Sequence, residues 1–379
     1  MKIAIISLPL SYNYGGYLQC YALMETLRNM GHEAYFLQRE NTAFPSLIKR
    51  GIDRSKFMLE SVGLGSLVYE FEKKTNSGIY YKTKNFRAFT KHYIKNCSPV
   101  LRTTEQVIDF CKFHHIDAYI TGSDQIWRGK YSRSVNDAFL GFAPQKSLKI
   151  AYAPSFGTDE WEFNAEQTTF IEKQLNTFQA ISVREESGVK LLHDNVHLIQ
   201  MPKVVLDPTF LLPRHLYLQI AKQEIMRHGV LTYILNQDTQ KKKMIDEFCF
   251  GQGLGQYSVI NPKTNTDVVA GGQGYSVEQW LAGFRDASYV MTDSFHATVF
   301  SIIFNKPFWV FENKERGNSR ILNILHLFGC EDRLVHSDMH FEEMDWKRTI
   351  DWDKVNQQME KLISCSKEFL EKALKHDRD

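Results

Sequence analysis

The tetrad Asp293-Ser294-Phe295-His296 stands between two apolar runs, Tyr289-Val-Met-Thr292 and 297–304, which read as a strand and a helix. His296 then falls in the first turn of a helix, where the helix dipole disfavours an imidazolium. A histidine poised near neutrality at a strand end can shuttle a proton; the alternative is a packed structural histidine. Ser294 is a natural N-cap for that helix. Arg184 directly follows the strand AISV. A guanidinium at a strand end suits a carboxylate or a phosphate, because its planar fork binds two oxygens at once. A salt bridge to Glu185 or Glu186 is the alternative. Gly122-Ser123-Asp124-Gln125-Ile126-Trp127 places small and polar groups beside an aromatic ring, a combination suited to sugar hydroxyls and a sugar face. Ser123, Gln125 and Trp127 are therefore candidate acceptor contacts, and Asp124 a candidate base. An Asx-type turn with Trp127 in the core would explain the same residues. Asn13-Tyr14-Gly15-Gly16 opens a helix whose first amides can meet an anion or a sugar hydroxyl. It is not G-x-G-x-x-G, so a dinucleotide site is not supported. Lys306, Lys314, Arg316 and Arg320 follow His296 closely and suggest an anionic ligand, against a simply solvated loop.

The elements that must hold these residues have the pattern of an α/β protein. IAIISL at 3–8 reads as a buried parallel strand, 15–28 as a helix closed by Gly31, and EAYFLQ at 33–38 as a second strand. Further strands are expected at 117–121, 149–153, 180–183 and 204–206, then at 230–235, 257–260, 289–292 and 308–311. Helices are expected at 164–177, 239–250, 277–284, 319–328 and about 353–375. Residues 41–95 are helical in part, with Gly51, Gly63, Gly65 and Gly78 as breaks. The fold class is two doubly wound Rossmann-like domains facing a cleft. The boundary falls near Asp207-Pro208, giving domains 1–205 and 206–345 and a final helical segment 346–379. Ligands of open α/β sheets bind at the carboxyl ends of strands, which singles out the loops 11–16, 122–128, 154–157, 184–186 and 293–296.

Composition narrows the function. The 379 residues carry 46 basic and 44 acidic side chains, a net charge of +2, so no whole-molecule field grips nucleic acid. No apolar run reaches the ~20 residues of a membrane span, and the opening lacks a signal-peptide cleavage pattern. The six cysteines form no C-x-x-C pair and the 13 histidines no H-E-x-x-H, so neither a zinc site nor a redox dithiol is expected. A reduced, cytoplasmic chain is the expectation. Residues 80–95 interleave aromatics (Tyr80, Tyr81, Phe86, Phe89, Tyr93) with bases, which would suit nucleic acid, an anionic membrane surface or a half-buried helix with a charged face.

Several stretches, in order, resemble the polysaccharide pyruvyl transferase family over about residues 1–335. They are NYGGYLQCYAL at 13–23, DAYITGSDQIW at 117–127, IAYAPSFG at 150–157, AISVREESG at 180–188, VVLDPTFLL at 204–212, DASYVMTDSFHATVFSIIFNKPF at 286–308 and RGNSRI at 316–321. The resemblance implies a fold like the GT-B glycosyltransferases, with the first domain on the acceptor side and the second on the donor side. The final helix would cross back to the first domain. It implies transfer of a pyruvyl group from phosphoenolpyruvate, as co-substrate and without a further cofactor, to a sugar of a bacterial surface glycan such as a capsule or exopolysaccharide. By the same resemblance Arg184 matches the arginine that holds the donor and His296 the catalytic histidine, and Lys314 or Arg316 takes the place of a further basic residue. Many members carry arginine two positions before the histidine. Ser294 stands there in this chain, so one donor contact is missing or comes from Arg316 or Arg320. A lipid-linked acceptor would bring the protein to the inner face of the membrane. Two rivals stay open: a nucleotide-sugar glycosyltransferase of the same architecture, and a non-catalytic sugar- or anion-binding relative.

Overall fold

The computed structural model describes residues 1–39, 77–132, 134–224, 228–261, 274–313 and 317–375, with isolated positions between 55 and 67. Two all-parallel sheets organise them. The first has the order β2-β1-β3-β4-β5-β6, built from Lys2–Ile6 (β1), Glu33–Phe36 (β2), Ala118–Thr121 (β3), Leu148–Ala151 (β4), Ala180–Val183 (β5) and Lys203–Val204 (β6). The second has the order β11-β10-β9-β7-β8, from Val230–Tyr233 (β7), Gln256–Tyr257 (β8), Tyr289–Thr292 (β9), Phe308–Phe311 (β10) and Leu334–Val335 (β11). Both sheets therefore reverse direction of winding once, between β1 and β3 and between β7 and β9. Those two reversals are where a doubly wound sheet opens a crevice for a ligand.

The sequence shows why these strands are parallel and central. β1 reads KIAII and β10 reads FWVF, continuous apolar runs buried on both faces rather than alternating ones. The helix Tyr14–Asn29 buries Leu18, Tyr21, Ala22, Met24 and Leu27. It ends as Gly31 takes φ +85°, a left-handed conformation that only glycine adopts without strain. Gly78 does not break a helix: it is the second residue of Ser77–Tyr93, where the backbone amides have no intrahelical partner to lose. Gly51 and Gly65 lie outside the described residues.

One apolar cluster joins the two sheets. It runs from Ile3, Ile120 and Ile150 of the first sheet through Phe210 and Tyr217 to Val290, Val310 and Phe300 of the second. The helix Trp352–Leu374 adds Val355, Leu370 and Leu374 to the same cluster. Its Ser366 hydroxyl accepts from the amide of Leu206 at 3.0 Å, and Phe369 lies 6.3 Å from the Tyr152 ring. The last helix thus touches the crossover between the sheets and the end of β4. Two smaller clusters fill the outer face of each sheet.

Candidate active site

Register places the chemistry. Ile6 pairs with Thr121 and Tyr233 with Thr292, so the loops after β1 and β3, and after β7 and β9, leave their sheets level with one another. Gly15, in the first turn of its helix, lies against His296 in the first turn of Phe295–Ile303. The packing leaves no room for a side chain: a methyl on Gly15 would fall 2.1 Å from Cγ and Nδ1 of the imidazole. The winding reversals of the two sheets meet at this contact.

Behind it sits a buried ion cluster. Nη1 of Arg184 donates to Oδ2 of Asp207 at 2.7 Å, Nη2 to Oδ1 of Asp124 at 3.4 Å, and Nε lies 3.8 Å from Glu185. Asn13 donates to the other oxygen of Asp124 at 3.3 Å. Asp207 also accepts from the amide and hydroxyl of Thr209 at 3.0 and 2.7 Å, and from the hydroxyl of Ser123 at 3.4 Å. Its Oδ2 is 3.7 Å from Nε2 of His296, an ion-pair distance too long for a hydrogen bond. That imidazole nitrogen is buried and finds no hydrogen-bond partner among the described residues. Phe295 carries both arginines: the guanidinium of Arg184 lies 4.3 Å from its ring centroid and that of Arg320 5.7 Å.

Burial sets the electrostatics and the partners decide the sign. Burial alone would raise the Asp207 carboxyl, but His296, Arg184 and Thr209 overcome it and hold the group well below the usual carboxylate range. Burial prevails at Glu185, whose carboxyl is raised despite Arg184 and the Ser155 hydroxyl, which donates to it at 2.6 Å. Burial and the neighbouring Arg184 push the Arg320 guanidinium down to about 10. Arg184 is matched by its carboxylates, and Arg320 lies against the same phenylalanine ring.

The structure sorts the residues expected from sequence. Asn13, Gly15, Ser123, Asp124, Arg184, His296 and Arg320 gather here, and all five expected loops contribute, the loop 154–157 through Ser155. Trp127 does not face the site: its ring is fully buried and stacks on Phe139, with Nε1 donating to the carbonyl of Ala138 at 3.1 Å. Its place after Gln125 in a 3-10 turn aims it at the outer core. Tyr14 is also internal, and its hydroxyl donates to the carbonyl of Tyr275 at 2.8 Å. Gly16 packs on Asn13, and Gln125 accepts from Arg128. Ser294 holds the N-cap position but its side chain makes no capping bond. Lys306 lies at the opposite edge of the sheet, where it precedes β10 and donates to the carbonyl of Ala287 at 3.0 Å. Lys314 and Arg316 lie outside the described residues. Of the readings of 80–95, the half-buried helix agrees with the structure at Phe86 and Phe89, which are buried and pack on Tyr14, Tyr17 and Tyr21. Cysteines are unpaired, and no group of three or more His, Cys, Asp or Glu among the described residues is arranged to hold a metal.

Sequence reading missed Asp207, taking it only as a boundary mark. Its signal was there: it ends the run Val204-Val205-Leu206 before a proline, the same strand-end position that singled out the other loops. Asp293 proves to be a brace. Its carboxylate accepts from the amides of Leu235 and Asn236 at 2.6 and 3.0 Å and from the Asn313 side chain at 3.1 Å, tying the ends of β7, β9 and β10.

Comparison with known proteins agrees with this architecture. The fold is similar to UDP-GlcNAc 2-epimerase from Methanocaldococcus jannaschii, with a TM-score of 0.50 and 11% identity over 96% of this chain and 93% of that one. At that identity the likeness speaks for the fold, which is of the GT-B type. UDP-GlcNAc 2-epimerase from Neisseria meningitidis (TM-score 0.48, 8% identity, 99% and 94% covered) and Anabaena HepE in complex with UDP and glucose (0.49, 9%, 98% and 97%) are also among the similar structures. A search of curated proteins gives no match. The family model for polysaccharide pyruvyl transferase matches residues 13–315, a span that holds Asn13, Asp124, Arg184, Asp207 and His296 but ends before Arg320. By that match the chain belongs to the polysaccharide pyruvyl transferase family.

Proposed function

We propose that the protein transfers a pyruvyl group from phosphoenolpyruvate to a sugar of a bacterial surface polysaccharide or its lipid-linked precursor, forming a cyclic ketal and releasing phosphate. The observation that carries this reading is the buried Nε2 of His296, open for a hydrogen bond and 3.7 Å from the Asp207 carboxylate, at the junction of the two domains. Ketal formation needs two additions at C2 of the donor. A first sugar hydroxyl attacks C2 while C3 gains a proton and becomes the methyl group. A second hydroxyl of the same sugar then displaces phosphate from C2. Each hydroxyl loses a proton: one balances the proton gained at C3 and the other leaves with phosphate.

His296 suits the proton transfers, a role worth about 10²–10⁴-fold in rate. Asp207 supplies the negative charge that stabilises an imidazolium formed there. Arg184 and Arg320, both against the Phe295 ring, suit the donor's carboxylate and phosphate as preorganised cations in a dry site. Arg320 would supply the contact that an arginine at the Ser294 position makes elsewhere in the family. Asp124 and Asn13, level with them on the first domain, suit an acceptor hydroxyl. The test is to supply phosphoenolpyruvate with a panel of soluble and lipid-linked sugars and follow both products. Phosphate release that requires a sugar, with a sugar heavier by one pyruvate less one water, is the expected result. Phosphate released at the same rate without a sugar, or transfer only from a nucleotide sugar, would overturn it.

A further inference from the structure

A cavity lies at the carboxyl edge of the second sheet, between the loops that follow β7, β10 and β11, with a volume of about 230 Å³. Its floor is apolar and solid: Met244, Phe311 and Val335 are all buried. Its wall is polar, yet its positive charge is already committed. The ammonium of Lys241 lies 3.7 Å from Asp238 and 3.3 Å from Asp293, and donates to the carbonyl of Asn236 at 3.2 Å. Glu312 accepts from the amide of Ser337 at 3.1 Å and stands 3.0 Å from Nδ1 of His336. Among the described lining residues an anion would meet Asp238 and Glu312, and the ammonium of Lys241 is matched by Asp238 and Asp293. A nucleotide or phosphate is therefore disfavoured. A neutral ring with hydroxyls on its edge and C–H groups on its face matches both surfaces, since carboxylates accept from the hydroxyls and the floor takes the apolar face. The volume is below the ~300–1,000 Å³ of drug-sized pockets, so it holds one such ring.

The cavity is braced to the strand end that precedes His296. Asp293, three residues before His296, accepts from Asn236 and Asn313, and both of these line the cavity. The geometry points to a subsite for an uncharged sugar of the acceptor glycan, near the sugar that is modified. This inference rests on the polysaccharide-acceptor reading, because a chain of sugars occupies both places where a single sugar occupies one.

Met244 on the floor is a natural reporter. The full chain would be labelled at its methionine methyls, and the Met244 signal assigned with Met244→Leu. Neutral disaccharides of glucose, galactose and N-acetylglucosamine are the probes, with glucuronic acid and inorganic phosphate as anionic controls. The expected result is a saturable shift of the Met244 signal with at least one neutral disaccharide and none with the anions. In Glu312→Gln, which removes a charged acceptor from the wall, affinity should fall about tenfold. Met244 unmoved by every neutral probe, or moved only by the anions, would overturn the subsite. Binding is read without turnover, so a silent Met244 beside intact phosphoenolpyruvate-dependent activity condemns the subsite alone. A shifting Met244 without that activity condemns the donor chemistry alone.

Discussion

Arg184 is the counter-ion of three carboxylates, and this changes how its role must be tested. Truncating it leaves Asp124, Glu185 and Asp207 buried without their cation, a loss of the ~3–5 kcal/mol scale seen when one partner of a buried pair is removed. Arg184→Ala should therefore lower the melting midpoint as well as donor affinity, and Arg184→Lys, which keeps the charge, separates the two in a melting and binding comparison. His296→Ala makes the cleaner demand. It should lose turnover by about 10²–10⁴-fold while phosphoenolpyruvate still binds; near-wild-type turnover would contradict its role. Asp207 adds a pH signature. Its carboxyl is depressed in the fold by His296 and Arg184 against the upward push of burial. The resulting stability is fully present above the ordinary carboxylate value of about 4 and is lost as pH falls below it towards the folded-state value. Asp207→Asn should be less stable at neutral pH and should show a flatter loss of stability below about pH 4. Glu185, raised by burial, works in the other direction, so the cycle is read as a difference from wild type. At this scale the sequence made His296, Arg184 and Asp124 legible through strand-end position. It hid which carboxylates surround the arginine, because Asp207 comes from a segment 23 residues away and meets it only through the parallel pairing of β5 and β6.

Among the elements, the helix Tyr14–Asn29 carries the sharpest consequence. Helix propensity favours alanine over glycine by up to ~1 kcal/mol, so stability alone would welcome Gly15→Ala. The imidazole of His296 occupies the place of that methyl group. The variant should keep its helical circular dichroism yet lose turnover at least about tenfold, a ~1.4 kcal/mol rise in barrier; full activity would show that His296 is not confined there. Central strands of four or five residues were readable because a parallel strand buried on both faces is a continuous apolar run. Short edges were read less well. The expected strands at 204–206 and 257–260 reduce to Lys203–Val204 and Gln256–Tyr257, and β11, with two residues too few to carry a period, went unseen. The helices Glu186–Asn195 and Arg214–Ile220 also went unseen, since the first opens among polar residues and the second spans two turns. Trp127 was ambiguous for a physical reason: an aromatic after a strand-end turn reads alike whether it roofs a ligand or a core.

For the whole molecule, the two sheets repeat one winding order and press their reversals together over a shared apolar core, so neither domain holds the site alone. The crossover at Leu206–Asp207 is pinned by the last helix. Ser366→Ala removes the acceptor of the buried Leu206 amide, which should cost about 1–3 kcal/mol and loosen the residue beside Asp207, lowering both the melting midpoint and turnover. A variant with wild-type melting and turnover would show that the helix only covers the surface. The apolar periodicity of the segment shows only an amphipathic helix; that it would cross back to the first domain comes from the family resemblance, and its contacts with Leu206 and Tyr152 lie on that side.

The most direct measurement is a thermal shift of the full chain with phosphoenolpyruvate, set beside UDP and UDP-GlcNAc. A ligand at 100 times its dissociation constant adds about 2.7 kcal/mol of stability, a plain rise in midpoint. Phosphoenolpyruvate should raise it, in wild type and in His296→Ala alike, and the nucleotides should not. Stabilisation by UDP or UDP-GlcNAc, with phosphoenolpyruvate silent, would contradict pyruvyl transfer and assign the fold to nucleotide-sugar chemistry.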